Sequence, residues 1–157
     1  MRYRIVTIDG PAGAGKTTVS KQLSHKLGCV YVDTGALYRG VAYEIKGRNI
    51  DWQDDTALET FLKTLDLNFV IKEGQLILMS GQNDITPHIR TPEITMLASS
   101  TSAKPQVRTA LLGLQRNIAD TKDCVFEGRD MGTVVFPEAA FKFFLSADLT
   151  VRSLRRY

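Results

Sequence analysis

Residues 10–17 read GPAGAGKT, which satisfies the pattern G-x-x-x-x-G-K-[ST] at every fixed position. This stretch limits the possible folds more than any other, because the pattern has physical meaning only after a strand and at the start of a helix. Both flanks meet that condition. Arg4 to Asp9 (RIVTID) is a β-rich run, and after the loop Val19, Leu23 and Leu27 recur at intervals of four, predicting one apolar stripe on a helix. A second β-rich run, Cys29 to Val32, follows. Strand, turn, helix, strand is the order of a parallel sheet flanked by helices.

The loop's chemistry follows from its residue types. Gly10, Gly13 and Gly15 let the backbone take shapes that other residues resist. Pro11, Ala12 and Ala14 fill the remaining positions without bulk, so successive N–H groups can turn inward on phosphate oxygens. The helix that begins at Lys16, Thr17 and Thr18 adds its own unsatisfied N–H groups and positive end. Lys16 is expected to reach the β- and γ-phosphates of a nucleoside triphosphate, and Thr17 to offer its hydroxyl to Mg²⁺. A glycine-rich linker explains neither the lysine nor the flanking periodicity. A dinucleotide site is the stronger rival, but its acidic ribose anchor is not evident. The expected fold is therefore α/β, P-loop NTPase-like, with a parallel sheet between helices.

Further along, Leu37, Val41 and Ile45 predict an amphipathic helix stopped near Gly47, and Asp54 to Leu65 predicts another. Leu67–Ile71 and Gln75–Met79, separated by Lys72, Glu73 and Gly74, predict a hairpin. Thr91 followed by Pro92 predicts a capped helix start. Residues 67–104 thus read as a small α+β insertion into a domain spanning 1–157. From Val107, Leu111, Leu114 and Ile118 predict a longer helix. The core sheet resumes at Cys124–Glu127 and Ala140–Leu145. In such sheets, functional groups collect beyond the carboxyl ends of the strands, here Asp9–Gly10, Asp33–Thr34 and Gly128–Asp130.

Composition excludes several classes. With 157 residues, 43% apolar and 24% charged, the chain suits one globular domain. No apolar run is long enough to cross a bilayer, and Arg2 and Arg4 precede no segment of signal-peptide type. A formal charge of +3 is too mild to suggest nucleic acid as a partner. Cys29 and Cys124 read as buried free thiols, which fits a reducing cytoplasm. His25 and His88 have no companion at ligand spacing, so no zinc site is expected.

A guanine-reading Asn-Lys-x-Asp segment is missing from the sequence, which disfavours a GTPase. Arg39 follows the second strand by less than two helical turns, and Arg129 stands just beyond a later one. A guanidinium holds phosphate oxygens in pairs, so both are candidates to clamp the phosphate of an acceptor. Asp33, ending the second strand, is a candidate outer-shell partner for Mg²⁺. Asp130, taken alone, suits a water-mediated metal contact or a turn. Ser99, taken alone, is a small polar residue on a helix.

Four segments together resemble the bacterial cytidylate kinases: IDGPAGAGKTT at Ile8–Thr18, DTGALYR at Asp33–Arg39, PQVR at Pro105–Arg108, and EGRDMGTVVFP at Glu127–Pro137. The resemblance implies a nucleoside-monophosphate kinase fold with a five-stranded parallel core. It implies ATP as donor, Mg²⁺, and CMP or dCMP as acceptor, in a cytoplasmic monomer that binds no nucleic acid or membrane. It makes Lys16, Arg39 and Arg129 catalytic, with Arg39 and Arg129 on the acceptor phosphate, and Ser99, Arg108 and Asp130 readers of the cytosine ring. Residues 67–104 become the monophosphate-binding insertion. Family members continue into an arginine-rich lid and a last core strand, and Arg152, Arg155 and Arg156 read as the helix leading there. The 157-residue polypeptide is therefore expected to transfer phosphate poorly and to leave a sheet edge uncovered. A kinase for another small metabolite, or a nucleotide-binding module without transfer, remain the alternatives.

Overall fold

The computed structural model describes residues 3–73 and 75–155; Arg2, Gly74 of the expected hairpin turn and Arg156 of the expected arginine-rich helix lie outside the described residues. The chain divides into two compact units, one running through Thr34 and resuming at Arg116, the other spanning Gly35–Gln115.

The first unit is built on strands β1 (Ile5–Asp9), β2 (Val30–Asp33), β6 (Cys124–Gly128) and β7 (Phe141–Phe144). They form one sheet in the order β2-β6-β1-β7, parallel throughout. This is the parallel α/β sheet read from the sequence, with four strands among the described residues where the resemblance implies five. Residues of β1 are all buried, which matches the near-continuous apolar run of a central parallel strand. Register brings the carboxyl ends level: Asp9 pairs with Gly128 and Phe144, and Asp33 with Glu127. All the polar residues that end these strands therefore emerge on one rim of the sheet. At the opposite rim, Arg4 donates through its backbone N and its Nε to Asp123, both at 2.7 Å, tying the start of β1 to the start of β6. The backbone bond, then the guanidinium, holds the Asp123 carboxyl below the usual carboxylate range.

Helix α1 (Lys16–Leu27) packs on β1, β2 and β6. Its buried residues are Lys16, Ser20 and Ser24, whereas Val19 and Leu27 are each 42% exposed. The four-residue spacing was sound but selected a neighbouring stripe. Small hydroxyl residues line the buried face, and Leu23 alone of the predicted apolar set joins the cluster of Val6, Ile8 and Val125. Cys29 also differs from expectation. It is half-exposed, in the turn ahead of β2, while Cys124 is buried; both thiols are free. Burial pushes the Cys124 thiol up to about 12, so it is an inert core residue.

Among the described residues β7 is an edge strand, and Phe141, Phe143 and Phe144 on it are 54%, 55% and 71% exposed. An apolar edge is a template for pairing with another chain. Replacing Phe143 with lysine is expected to reduce concentration-dependent association of this polypeptide, read by light scattering. Unchanged scattering would show that this edge is not the adhesive surface.

The second unit contains the rest of α2 (Thr34–Gly47), α3 (Asp55–Lys63), an antiparallel sheet of β3 (Leu67–Lys72), β4 (Gln75–Ser80) and β5 (Asn83–Asp84), α4 (Pro92–Thr101) and most of α5 (Pro105–Ala119). Its core joins Leu37, Val41 and Ile45 of α2 to Leu58, Phe61, Leu78, Val107 and Leu111, so residues 67–104 share one core with α2, α3 and α5. Burying each of these side chains contributes roughly 1.5–3 kcal/mol. The predicted cap at Thr91 forms, accepting from the amide of Ile94, and Asp54, read as the first residue of its helix, is instead its cap, accepting from the amides of Thr56 and Ala57. His25 and His88 are exposed, the latter stacked on Tyr43 with 6.2 Å between ring centroids. Among the described residues, no helix is long and apolar enough to cross a membrane.

Candidate functional site

The loop leaving β1 has the backbone that its glycines predict. Gly10, Gly13 and Gly15 have φ of 144°, 77° and 94°, values open to glycine and strained for L side chains. At Gly10 the constraint is also steric, since a Cβ there would lie 2.0 Å from the carbonyl oxygen of Leu145. Gly15 caps α1 and has no side chain with which to bond the first amides of the helix. Those N–H groups are thus directed at the loop's concavity, the arrangement that receives phosphate oxygens.

Lys16 is buried, 7% exposed, and its Nζ reaches across the loop to donate to the Pro11 carbonyl at 2.9 Å. Burial pushes this amine below its ordinary range, as does the neighbouring Arg129, while Glu127, Asp9 and Asp33 act in the opposite sense. Such a cation gains from any added negative charge in the loop.

Glu127, at the end of β6, organises the floor beside the loop. Its Oε1 accepts from the Thr17 hydroxyl at 2.8 Å and its Oε2 from the Tyr31 hydroxyl at 2.5 Å. Its backbone oxygen accepts from Thr34 Oγ1 at 2.7 Å. Burial, then the charges of Asp33 and Glu127, raise the Tyr31 phenol far above its ordinary range, so it stays a donor. A hydroxyl has one proton and two lone pairs. With its proton directed to Glu127, Thr17 presents its lone pairs elsewhere, as a metal ligand must. Among the described residues, no cluster of three or more His, Cys, Asp or Glu could hold a metal ion. The donor set fits Mg²⁺ bound through one hydroxyl and nucleotide phosphates, since this ion is seldom caged by protein alone.

The arginines beyond the strand ends come to the same loop. Arg129 is exposed, and its Nη1 donates to the carbonyl of Gly10. Arg155, on the residue closing α6 (Leu149–Leu154), donates from Nη1 to the carbonyl of Gly13 at 3.0 Å. Arg152, from the same helix, passes within 2.9 Å of where a Gly13 Cβ would sit, through its backbone oxygen. Asp130 is half-buried between β6 and a single π turn, Met131–Val135.

The first unit therefore brings together Lys16, Thr17, Asp33 and Arg129 of the expected set, with the loop itself. Arg39 is half-buried on α2, Ser99 exposed on α4 and Arg108 half-buried on α5, all in the second unit. Four residues were missed as site components: Glu127, Tyr31, Arg155 and Asp9. Glu127 carried a usable signal, an acidic residue ending a core strand immediately before Gly128-Arg129. The others depend on contacts between residues far apart in the chain.

The cytidylate kinase family model matches residues 6–157. The chain is 45% identical to a cytidylate kinase from Syntrophotalea carbinolica over 99% of its own length and 66% of that protein's. It is 46% identical to the cytidylate kinase of Ligilactobacillus salivarius, covering 97% of this chain and 68% of that one. Identity to the Geobacter sulfurreducens cytidylate kinase is 45%, over 99% and 67% of the two chains. The chain thus spans about two thirds of the length of these curated relatives. A solved protein from Thermus thermophilus, covering 99% of this chain and 71% of its own, aligns with a TM-score of 0.44 at 19% identity, a likeness too slight to bear on the fold. With a loop of this geometry and a match over nearly its whole length, the chain belongs to the cytidylate kinase family.

Proposed function

We propose that the protein transfers the γ-phosphoryl group of ATP to CMP or dCMP, giving ADP and CDP or dCDP. The observation that carries this reading is the backbone of residues 10–17, with three positive-φ glycines, an uncapped helix start and a buried lysine whose charge is under-compensated. The names of the relatives support the choice of acceptor. The two free thiols support a cytoplasmic setting.

The acceptor needs little activation. A monophosphate has a second pKa of about 6 and is largely dianionic at neutrality. The protein's task is alignment and charge compensation. Loop amides from Gly10 to Thr18 and the Lys16 ammonium hold the donor phosphates, Lys16 following the charge as it moves to the leaving group. Arg129 and Arg39 hold the acceptor phosphate, and a guanidinium bonded once still has further N–H donors for it. Asp130 accepts from the exocyclic amino group of cytosine, Arg108 donates to the ring acceptors, and Ser99 completes the base contacts. Uracil lacks that amino group and forgoes this contact, so it is expected to bind more weakly. Thr17 would hold Mg²⁺, with Asp33 as its outer partner, and the ion would supply charge neutralisation on the donor phosphates. Residues 67–104 serve as the monophosphate-binding insertion within one kinase domain.

Calorimetric titration with CMP, dCMP, UMP, AMP and shikimate tests the acceptor. Saturable binding of CMP and dCMP, with UMP at least about tenfold weaker, is the expected result. Preference for AMP or shikimate would assign the chain another acceptor.

A further inference from the structure

We propose that Asp9 is a positioning residue that holds Arg129 and Asp130 in place for the acceptor; the proposal rests on the reading of Arg129 as a ligand of the acceptor phosphate. Asp9 ends β1 and is 6% exposed. A carboxylate so buried is costly unless its oxygens are bonded. Here each oxygen has its own backbone donor: Oδ1 accepts from the amide of Met131 at 2.9 Å, and Oδ2 from that of Gly132 at 2.8 Å. The backbone of Asp9 meanwhile stands in register with Gly128. One residue therefore pins the chain on both sides of Arg129 and Asp130, through strand pairing before them and through its side chain after them.

The neighbouring contacts work in the same direction. Gly10 accepts from the Arg129 guanidinium, so consecutive residues of the phosphate loop's entry grip both the backbone and the side chain of this bridge. The carbonyl of Asp130 is held by the amide of Val134 at 2.9 Å, which limits how the residue can turn. Gly132 lies so close to β1 that a Cβ would sit 2.8 Å from Thr7 Oγ1, so a larger residue would force a shift beside its bond to Asp9. Asp9 touches neither substrate in this account. It acts through Arg129 and Asp130, and mechanically couples the donor loop to the acceptor ligands.

Asp9→Asn is the sharpest test, because it keeps shape and removes one acceptor. The amide presents N–H to one of two backbone donors, so one bond is lost and a donor faces a donor. CMP affinity, measured by calorimetry on the folded variant, is expected to fall about tenfold, with MgATP affinity changed far less. In an Arg129→Ala background the same substitution is expected to cost CMP affinity less than it does alone, the remainder acting through Asp130, since coupled residues are not additive. Unchanged CMP affinity, equal loss of CMP and ATP, or full additivity with Arg129→Ala would each overturn the proposal. Should Arg129→Ala alone leave CMP binding intact, the reading of Arg129 fails, which is a separate outcome from failure of Asp9→Asn beside an effective Arg129→Ala. Where Asp9→Asn does not fold, hydrogen exchange on the unaltered protein decides. Coupling is reciprocal, so saturating CMP is expected to slow exchange at the Met131 and Gly132 amides, and no slowing would overturn the proposal.

Discussion

Replacing Lys16 with methionine is expected to abolish measurable MgATP binding and to lower phosphoryl transfer by roughly 10²- to 10³-fold, while the folded protein becomes no less stable. The two effects have one cause. Lys16 is buried, and burial depresses the pKa of its amine in the folded state. A lysine whose folded pKa lies below its unfolded value weakens folding wherever it must be charged. That penalty is fully present below the folded pKa and disappears as pH rises past the unfolded value of about 10.4. At neutral pH the wild-type chain bears it, and Lys16→Met removes it. The bond from Nζ to the Pro11 carbonyl is lost, but Pro11 is only half-buried and water can replace the donor. A charge unfavourable to the fold and favourable to a polyphosphate is what a stability–function trade-off predicts. Thermal unfolding and calorimetry on the same preparations check both halves. A variant that loses ATP and also melts well below wild type would show that Lys16 has a structural role in the loop.

Arg129→Ala is expected to weaken CMP binding by roughly 10- to 100-fold, the range for losing a charge-assisted hydrogen bond. ATP binding is expected to weaken much less. The structure supplies a reason for a small ATP effect, since the Arg129 guanidinium also donates to the Gly10 carbonyl at the entry of the phosphate loop. It supplies an opposing reason too: Arg129 is among the charges that depress Lys16, and removing it relieves that repulsion beside the loop. These contributions partly offset for ATP and do not for CMP. Separate calorimetric titrations measure the asymmetry, and equal losses for the two nucleotides would mean that Arg129 serves the loop and not the acceptor.

The parts of this protein that were legible in its sequence are those where local chemistry decides. GPAGAGKT could be read because each glycine, the lysine and the threonine answer to a backbone or phosphate requirement within eight residues. Thr91 could be read as a cap because capping joins residues two or three apart. Leu37, Val41 and Ile45 mark their buried face correctly because that face meets an apolar core. The same periodicity misplaced the buried face of α1, where close packing favours Ser20 and Ser24 over larger residues. The single π turn at Met131–Val135 has no local signature; it exists where two of its amides meet Asp9, more than a hundred residues earlier. Glu127 was likewise visible only as part of a motif, because its hydroxyl partners, Thr17 and Tyr31, come from the opposite end of the chain. What sequence conceals here is the long-range support that gives short-range motifs their orientation.

Calorimetric titration of the folded chain with ATP, with and without Mg²⁺ and with Lys16→Met alongside, addresses the central claim most directly. The account predicts saturable one-site binding that Mg²⁺ strengthens and Lys16→Met eliminates. Well-folded protein that takes up no ATP, or that binds it equally well without Lys16, would contradict it.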